Sequence, residues 1–350
     1  MKVKLKGLQI SNIAAGLPKE TVNIRNYEKF FSAKDIKRIM ESTGVETVHV
    51  AAKGMCSSDY FVEIGKRLML ESNLKSTDFD GVVLVFQTPD YIAPPTCTII
   101  QDRLGLPKDS VAFDINYGCT GYIYGLYQAA LLVSSGSCQR VLMFVGDTQI
   151  ATLHEDDRAN RMILGDGFAA TIVEQGQQEM CFQIYSDGSG YKFLITEAGG
   201  RRVPKTEETK KPYTDDSGYI HWAEHPHMDG MEIMNFSLRR VPPLVRDSLE
   251  YAGWSKESTD FFAFHQANSL ILKMLRKRIG VPEEKLPITL QSVGNTAGAS
   301  IPLTLSLKID ELREKSSLER VLFCGFGIGL SWGTATANLS STKIYKPWII

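Results

Sequence analysis

The stretch Arg140-Val-Leu-Met-Phe144 returns as Arg320-Val-Leu-Phe323, 180 residues further along a chain of 350 residues. The turn Gly118-Cys119 has its counterpart at Gly294-Asn295, 176 residues on, and the segment Asp78–Pro89 matches Ser258–Asn268 in pattern. A near-constant offset of half the chain marks one structural unit built twice. It predicts two similar halves, 1–176 and 177–350, packed about a pseudo-two-fold axis, each giving one strand-to-helix turn to a shared central site.

Each half repeats the same alternation. Apolar runs bounded by turn residues predict strands at 81–86, 111–115, 141–145 and 168–173, then at 261–264, 288–292, 321–324 and 334–338. Helices are predicted over 58–73, 96–105 and 119–135, then 232–252, 267–279 and 298–315. Strands alternating with helices predict an α/β fold whose sheets are buried on both faces. Gly199–Gly218 is polar and charged, and predicts an exposed loop.

Lys plus Arg number 39 and Asp plus Glu 40, a balance that excludes a bulk polycation for nucleic acid. The apolar run in MKVKLKGLQI is too short for a secretory core, and no run is long enough to span a membrane. The six cysteines are widely and irregularly spaced, with no C-x-x-C pair, which predicts free thiols in a reducing, cytoplasmic setting.

Cys119 ends an apolar strand-and-turn segment, at the predicted start of a helix. Unpaired amides and the helix dipole there favour a thiolate, so a lowered thiol pKa is expected. The same amides can hold an oxyanion on an acyl group carried by the sulfur. His265, at the end of Phe261–Phe264, can donate from one ring nitrogen or act as a base. Asn295 stands at the turn that mirrors Cys119. The repeat predicts all three at the carboxyl ends of central strands, the usual place for an α/β site.

Together, Gly118-Cys119-Thr-Gly121, His265-Gln-Ala-Asn268, Gly294-Asn295-Thr and Gly325-Phe-Gly327-Ile-Gly329-Leu-Ser-Trp-Gly333 resemble the β-ketoacyl-acyl-carrier-protein synthase III group of the thiolase-fold superfamily. Arg158 with Gly165-Asp-Gly167, and Met228-Asp-Gly-Met-Glu232, fit the same pattern. The resemblance covers nearly the whole chain. It implies a five-layered αβαβα fold, usually a homodimer, and no metal or redox cofactor. Cys119 would take an acyl group from an acyl thioester, usually acyl-CoA, with the Cys119 amide and an amide of the Gly327–Gly329 turn as oxyanion hole. His265 and Asn295 would hydrogen-bond the thioester carbonyl of malonyl-acyl-carrier protein during decarboxylation.

Departures from the group bear on substrate. Arg38 and Arg158 fall where relatives hold the coenzyme A adenine with a Trp and an Arg, and Ser42 replaces a common Arg. Ala93 falls where short-chain enzymes often carry a Phe by the acyl pocket, which implies room for a longer, branched or substituted acyl group. Lys273, Arg276, Lys277 and Arg278 form a basic cluster that the resemblance assigns to docking of the acidic carrier protein. Other readings of Cys-His-Asn stay open at this level: a plant-type polyketide synthase or another acyltransferase on the same fold, a thioester hydrolase, or a non-enzymatic scaffold. His221, His225 and His227 form a possible metal set, but Pro226 breaks a helix there, and a surface segment by the site entrance is the simpler reading. Gly325, Gly327 and Gly329 lack dinucleotide-loop spacing.

Overall fold

Alternate residues of the sheet strands enter different apolar interiors, and this alternation sets the layering. In the computed structural model, which describes residues 1–157, 160–214 and 220–350, the long strands come first. They are β1 (Lys2–Leu17), β2 (Glu20–Asn23), β3 (Thr47–Val50), β4 (Gly81–Val85), β5 (Val111–Ile115), β6 (Arg140–Asp147) and β7 (Gly167–Ser186). Short strands follow: β8 (Leu194–Ile195), β9 (Pro212–Thr214), β10 (Ile220–Trp222) and β11 (His227–Met228). The chain closes with β12 (Phe261–Phe264), β13 (Val321–Gly327), β14 (Ser331–Ala337), β15 (Lys343–Ile344) and β16 (Trp348–Ile349). The helices are α1 (Ala33–Thr43), α2 (Ser57–Ser72), α3 (Thr96–Leu104), α4 (Gly121–Ser134), α5 (Gly230–Ala252), α6 (Ser269–Ile279) and α7 (Ser300–Lys315).

Val83, Val85, Val141 and Met143 pack with Phe261, Ala263, Val321 and Phe323 around α4 and α7, in one central interior. Their neighbours Val82, Leu84, Leu142 and Phe144 face outward onto α2 and α3. Phe262, Phe264, Leu322 and Cys324 likewise face α5 and α6. Period-two alternation with both faces apolar is what a sheet covered by helices on each side requires. The layers therefore run helix, sheet, helix, sheet, helix.

The strand order is β12-β13-β14-β7-β6-β4-β5, with β1 beside β7 and with β15 and β16 beside β1. β4 runs parallel to β6, which runs antiparallel to β7. β12 runs parallel to β13, which runs antiparallel to β14. β7 serves both sets: its start pairs with β6 and its end, Phe182–Ser186, with β14.

Three expectations need correction. No strand forms at 288–292; a short 3₁₀ turn, Leu290–Ser292, stands there. The Gln266 carboxamide accepts from the Thr289 amide at 2.9 Å and donates to the Pro287 carbonyl, using backbone groups a ladder would need. The helix predicted from 119 starts at Gly121. The expected loop 199–218 is exposed but holds β9, which pairs with β10 just beyond it as a small antiparallel ladder; residues 215–219 lie outside the described ones. Among the described residues, no helix is long and apolar enough to cross a membrane.

Candidate active site

Cys119 follows β5 and His265 follows β12, the two end strands of the seven-strand path and not central ones. They meet because the two sheet layers face each other across α4 and α7. The N-terminal turns of these helices touch: a β-carbon on Gly298 would lie 3.0 Å from the Gly118 carbonyl oxygen. Asn295 sits on a loop, bridged to Leu164, with its amide donating to the Ile163 carbonyl at 2.8 Å. Gln149 Nε2 adds hydrogen bonds to the carbonyls of Gly165 and of Asn295.

One cavity of about 720 Å³ is lined by Cys119, His265 and Asn295 together, and also by Gly327 and Ile328. Gly327 has φ +152°, and a β-carbon there would fall 2.7 Å from Cys119 Cβ and 3.0 Å from its Sγ. Only glycine allows this approach. The approach brings the turn's backbone amides to the sulfur, and the Ile328 amide hydrogen-bonds it.

Burial pushes the Cys119 thiol up to about 11, against the amides of Ile328 and of Cys119 itself, which favour the thiolate. The expectation of a lowered pKa is therefore reversed. Cys119 precedes the first turn of α4, where the helix dipole acts, and desolvation of the charged form outweighs two amides. Burial likewise pushes His265 down to about 4, against the hydrogen bond with Ala297. At neutral pH the pair is thiol and neutral imidazole. His265 Nδ1 lies 3.1 Å from the Ala297 carbonyl oxygen and 2.9 Å from Ser300 Oγ. A carbonyl can only accept, so Nδ1 carries the proton in this pairing and Nε2 is left basic.

The Asn295 side chain accepts from the Ala297 amide at 3.0 Å and donates to the Ala267 carbonyl at 3.3 Å, which fixes its plane. Gly329 ends the turn but does not line the cavity. Ala93 is exposed and lines no part of it, and Arg38 stands exposed on α1. Arg158 lies outside the described residues. Of the basic cluster on α6, Lys273, Lys277 and Arg278 are exposed, whereas Arg276 turns inward and pairs with Glu283 at 2.9 Å. His221 and His227 contact each other at 3.1 Å, and His225, on the cavity wall, bonds the Thr152 carbonyl. Among the described residues, no group of three His, Cys, Asp or Glu side chains is placed to hold a metal ion.

Sequence reasoning missed Gln87, Asn116, Asp147 and Gln149, all on the cavity wall. Gln87 and Asn116 follow directly on apolar strand runs, and Asp147 comes two residues after one. Asp147 is 4% exposed, and burial pushes its carboxyl up to about 7 despite hydrogen bonds from Gln87 and Thr88.

Residues 113–188 match the family described as 3-oxoacyl-[acyl-carrier-protein (ACP)] synthase III, and residues 249–339 its C-terminal part. A β-ketoacyl-[acyl-carrier-protein] synthase III of Clostridium perfringens is 32% identical over 96% of this chain and 100% of its own length. The crystal structure of a 3-oxoacyl-(acyl-carrier protein) synthase from Burkholderia xenovorans superposes with a TM-score of 0.91 at 32% identity, covering 100% of this chain and 99% of that one. The priming β-ketosynthase of a polyketide biosynthetic pathway shares the fold, with a TM-score of 0.77 at 24% identity over 95% of this chain and 96% of that one. With its layers, its Cys-His-Asn cavity and these likenesses, the chain belongs to the β-ketoacyl-acyl-carrier-protein synthase III family of thiolase-fold condensing enzymes, a family of acyltransferases.

Proposed function

We propose that the chain joins an acyl primer to malonyl-acyl-carrier protein by decarboxylative Claisen condensation. The observation that carries this reading is the single cavity shared by Cys119, His265 and Asn295, with the sulfur against the Ile328 amide. In the first step the Cys119 proton passes to His265 Nε2, and the sulfur attacks the carbonyl of an acyl-CoA or acyl-carrier-protein thioester. The amides of Cys119 and Ile328, the latter within the Gly327–Gly329 turn, hold the oxyanion. The departing thiolate takes the proton, leaving acyl-Cys119.

In the second step malonyl carbon dioxide leaves, and its electron pair forms an enolate whose oxygen is held by Asn295 Nδ2 and His265 Nε2. The enolate carbon attacks acyl-Cys119, the carbon–sulfur bond breaks, and the β-ketoacyl thioester is released. Cys119 recovers a proton from water. His265 therefore serves as base first and as donor second. The Ser300 hydroxyl, 2.9 Å from Nδ1, can donate to that nitrogen and so allow a proton on Nε2.

Other features extend the reading. Lys273, Lys277 and Arg278 would meet the acidic carrier protein. The open edge of β5, with Val111 exposed at its start, supports a homodimer formed there. The matching runs β4-β6-β7 and β12-β13-β14 support a division into halves near residue 176, inside β7. Six free cysteines support a cytoplasmic location, and the chemistry needs no cofactor.

Intact-protein mass spectrometry with acyl-CoA and acyl-carrier-protein donors, chased with malonyl-carrier protein, tests the core of this reading. A mass gain lost in Cys119→Ala, and discharged as β-ketoacyl product, is the expected result. Discharge only to free acid would make the chain a hydrolase. His265→Ala and Asn295→Ala should still load but condense about a hundredfold more slowly, the scale of one lost oxyanion donor.

A further inference from the structure

Part of the cavity lining on the Cys119 side is polar: it includes Gln87, Asn116 and Asp147. Asn116 and Gln87 stand just past the carboxyl ends of β5 and β4, and Asp147 is the last residue of β6; the three are neighbouring parallel strands in register at Ile115, Val85 and Val145. Gln87 Oε1 occupies the space a β-carbon on Gly118 would fill, which sets the carboxamide immediately beside the residue preceding Cys119. Gln87 Nε2 reaches Asn116 Oδ1 only at 3.4 Å, and the Gln87 amide donates to Asp147 Oδ1 at 2.5 Å. Among the described residues, no hydrogen bond of the chain reaches Gln87 Oε1 or Asn116 Nδ2. Among the described residues, the donors to Asp147 are on Gln87 and Thr88, and no cation pairs with it.

This inference rests on the proposed acyl-Cys119. If the malonyl unit is held by His265 and Asn295, the inference seats the first carbons of the acyl group beside Gly118, where Gln87 stands with Asn116 and Asp147 in the same cavity lining. An alkyl chain there would take the exposed Gln87 and Asn116 carboxamides out of water and cover the buried Asp147 carboxyl without offering any of them a hydrogen bond, an unfavourable exchange. A hydroxyl both donates and accepts: it can give its proton to Asp147 and accept from the carboxamides. An ammonium would leave the carboxamide N–H groups without an acceptor. We propose that this wall selects a short acyl primer bearing a hydroxyl within a few carbons of the thioester, with Gln87, Asn116 and Asp147 as its specificity-determining residues.

The test compares butanoyl and 3-hydroxybutanoyl thioesters, each on coenzyme A and on carrier protein, by the rate of mass gain on Cys119. The native chain should load the hydroxyacyl group at least about tenfold faster, since a site built to bond a hydroxyl discriminates strongly against its absence. In Gln87→Leu/Asn116→Leu, two exposed positions where folding is not at stake, the ratio should fall towards one. Equal or faster butanoyl loading by the native chain, or a ratio unchanged in the double variant, would overturn the inference while leaving acyl-Cys119 intact. No adduct from either acyl group on either carrier would remove the acyl-Cys119 reading, and this inference with it.

Discussion

Ser300 Oγ stands 2.9 Å from His265 Nδ1 and 2.7 Å from the Ala297 carbonyl oxygen, so one hydroxyl hydrogen has two possible acceptors. Given to Ala297, it leaves Nδ1 protonated and Nε2 basic. Given to Nδ1, it lets Nε2 carry the proton. Ser300→Ala removes the second arrangement. Single-turnover Cys119 loading should stay within about threefold of native, while malonyl decarboxylation falls roughly tenfold to a hundredfold, as for a lost donor. An equal loss in both steps would mean that Ser300 acts only on the fold.

Alkylation of Cys119 should be slow at neutral pH and rise steeply with it. The thiol is pushed up to about 11 and His265 down to about 4, so between these values neither group is charged in the free protein. The thiolate fraction then grows tenfold per pH unit below 11. Iodoacetamide rates on Cys119, followed by mass between pH 6.5 and 9.5, should climb without a plateau. A flat profile would reveal a preformed thiolate–imidazolium pair.

Gly327→Ala should cost far more activity than its single methyl suggests. Its φ of +152° disfavours any β-carbon, and that carbon would press on Cys119. Displacing the turn moves the Ile328 amide from the sulfur, and losing one oxyanion donor lowers the rate by about a hundredfold or more. Loading kinetics beside a circular-dichroism melt would separate this from unfolding. The melting point should fall by only a few degrees.

The basic side chains of α6 should divide into two behaviours. Lys277→Glu with Arg278→Glu should raise KM for malonyl-carrier protein several-fold, with little change for a malonyl thioester lacking the protein, and should do so more at low salt. Arg276→Ala should instead lower stability, by about 1 kcal/mol, because it strips a half-buried side chain from Glu283. Steady-state kinetics with both donors, plus a melt, reads the two apart.

Much of this was legible in the chain. The runs around Val82, Leu142, Phe262 and Leu322 are apolar on both faces, and that pattern belongs to few structures besides helix-covered strands. That Cys119, His265 and Asn295 line one cavity was legible through the repeat, which pairs the turn of Cys119 with that of Asn295. β1 was not: Lys2, Lys4 and Lys6 alternate with apolar residues, but Gly7 breaks the period and Ile13–Leu17 turns wholly apolar. α1, too, escaped the reading, since only Ile36 and Thr43 of its residues are buried. The raised thiol pKa was beyond reach because it depends on packing from both halves, which no local motif carries. The polar wall left a usable signal, a Gln, an Asn and an Asp each placed just after an apolar strand run.

β7 runs for 20 residues, pairing with β6 near its start and β14 near its end, and β1 lies antiparallel along it from Lys2 to Gly16. Swinging one half away from the other would tear this ladder. The two halves are thus tied along one continuous ladder, while Lys205, Glu224 and His225 line the same cavity from outside that ladder. Access to the sulfur then calls for side chains of the cavity lining to move, not for the two halves to hinge apart.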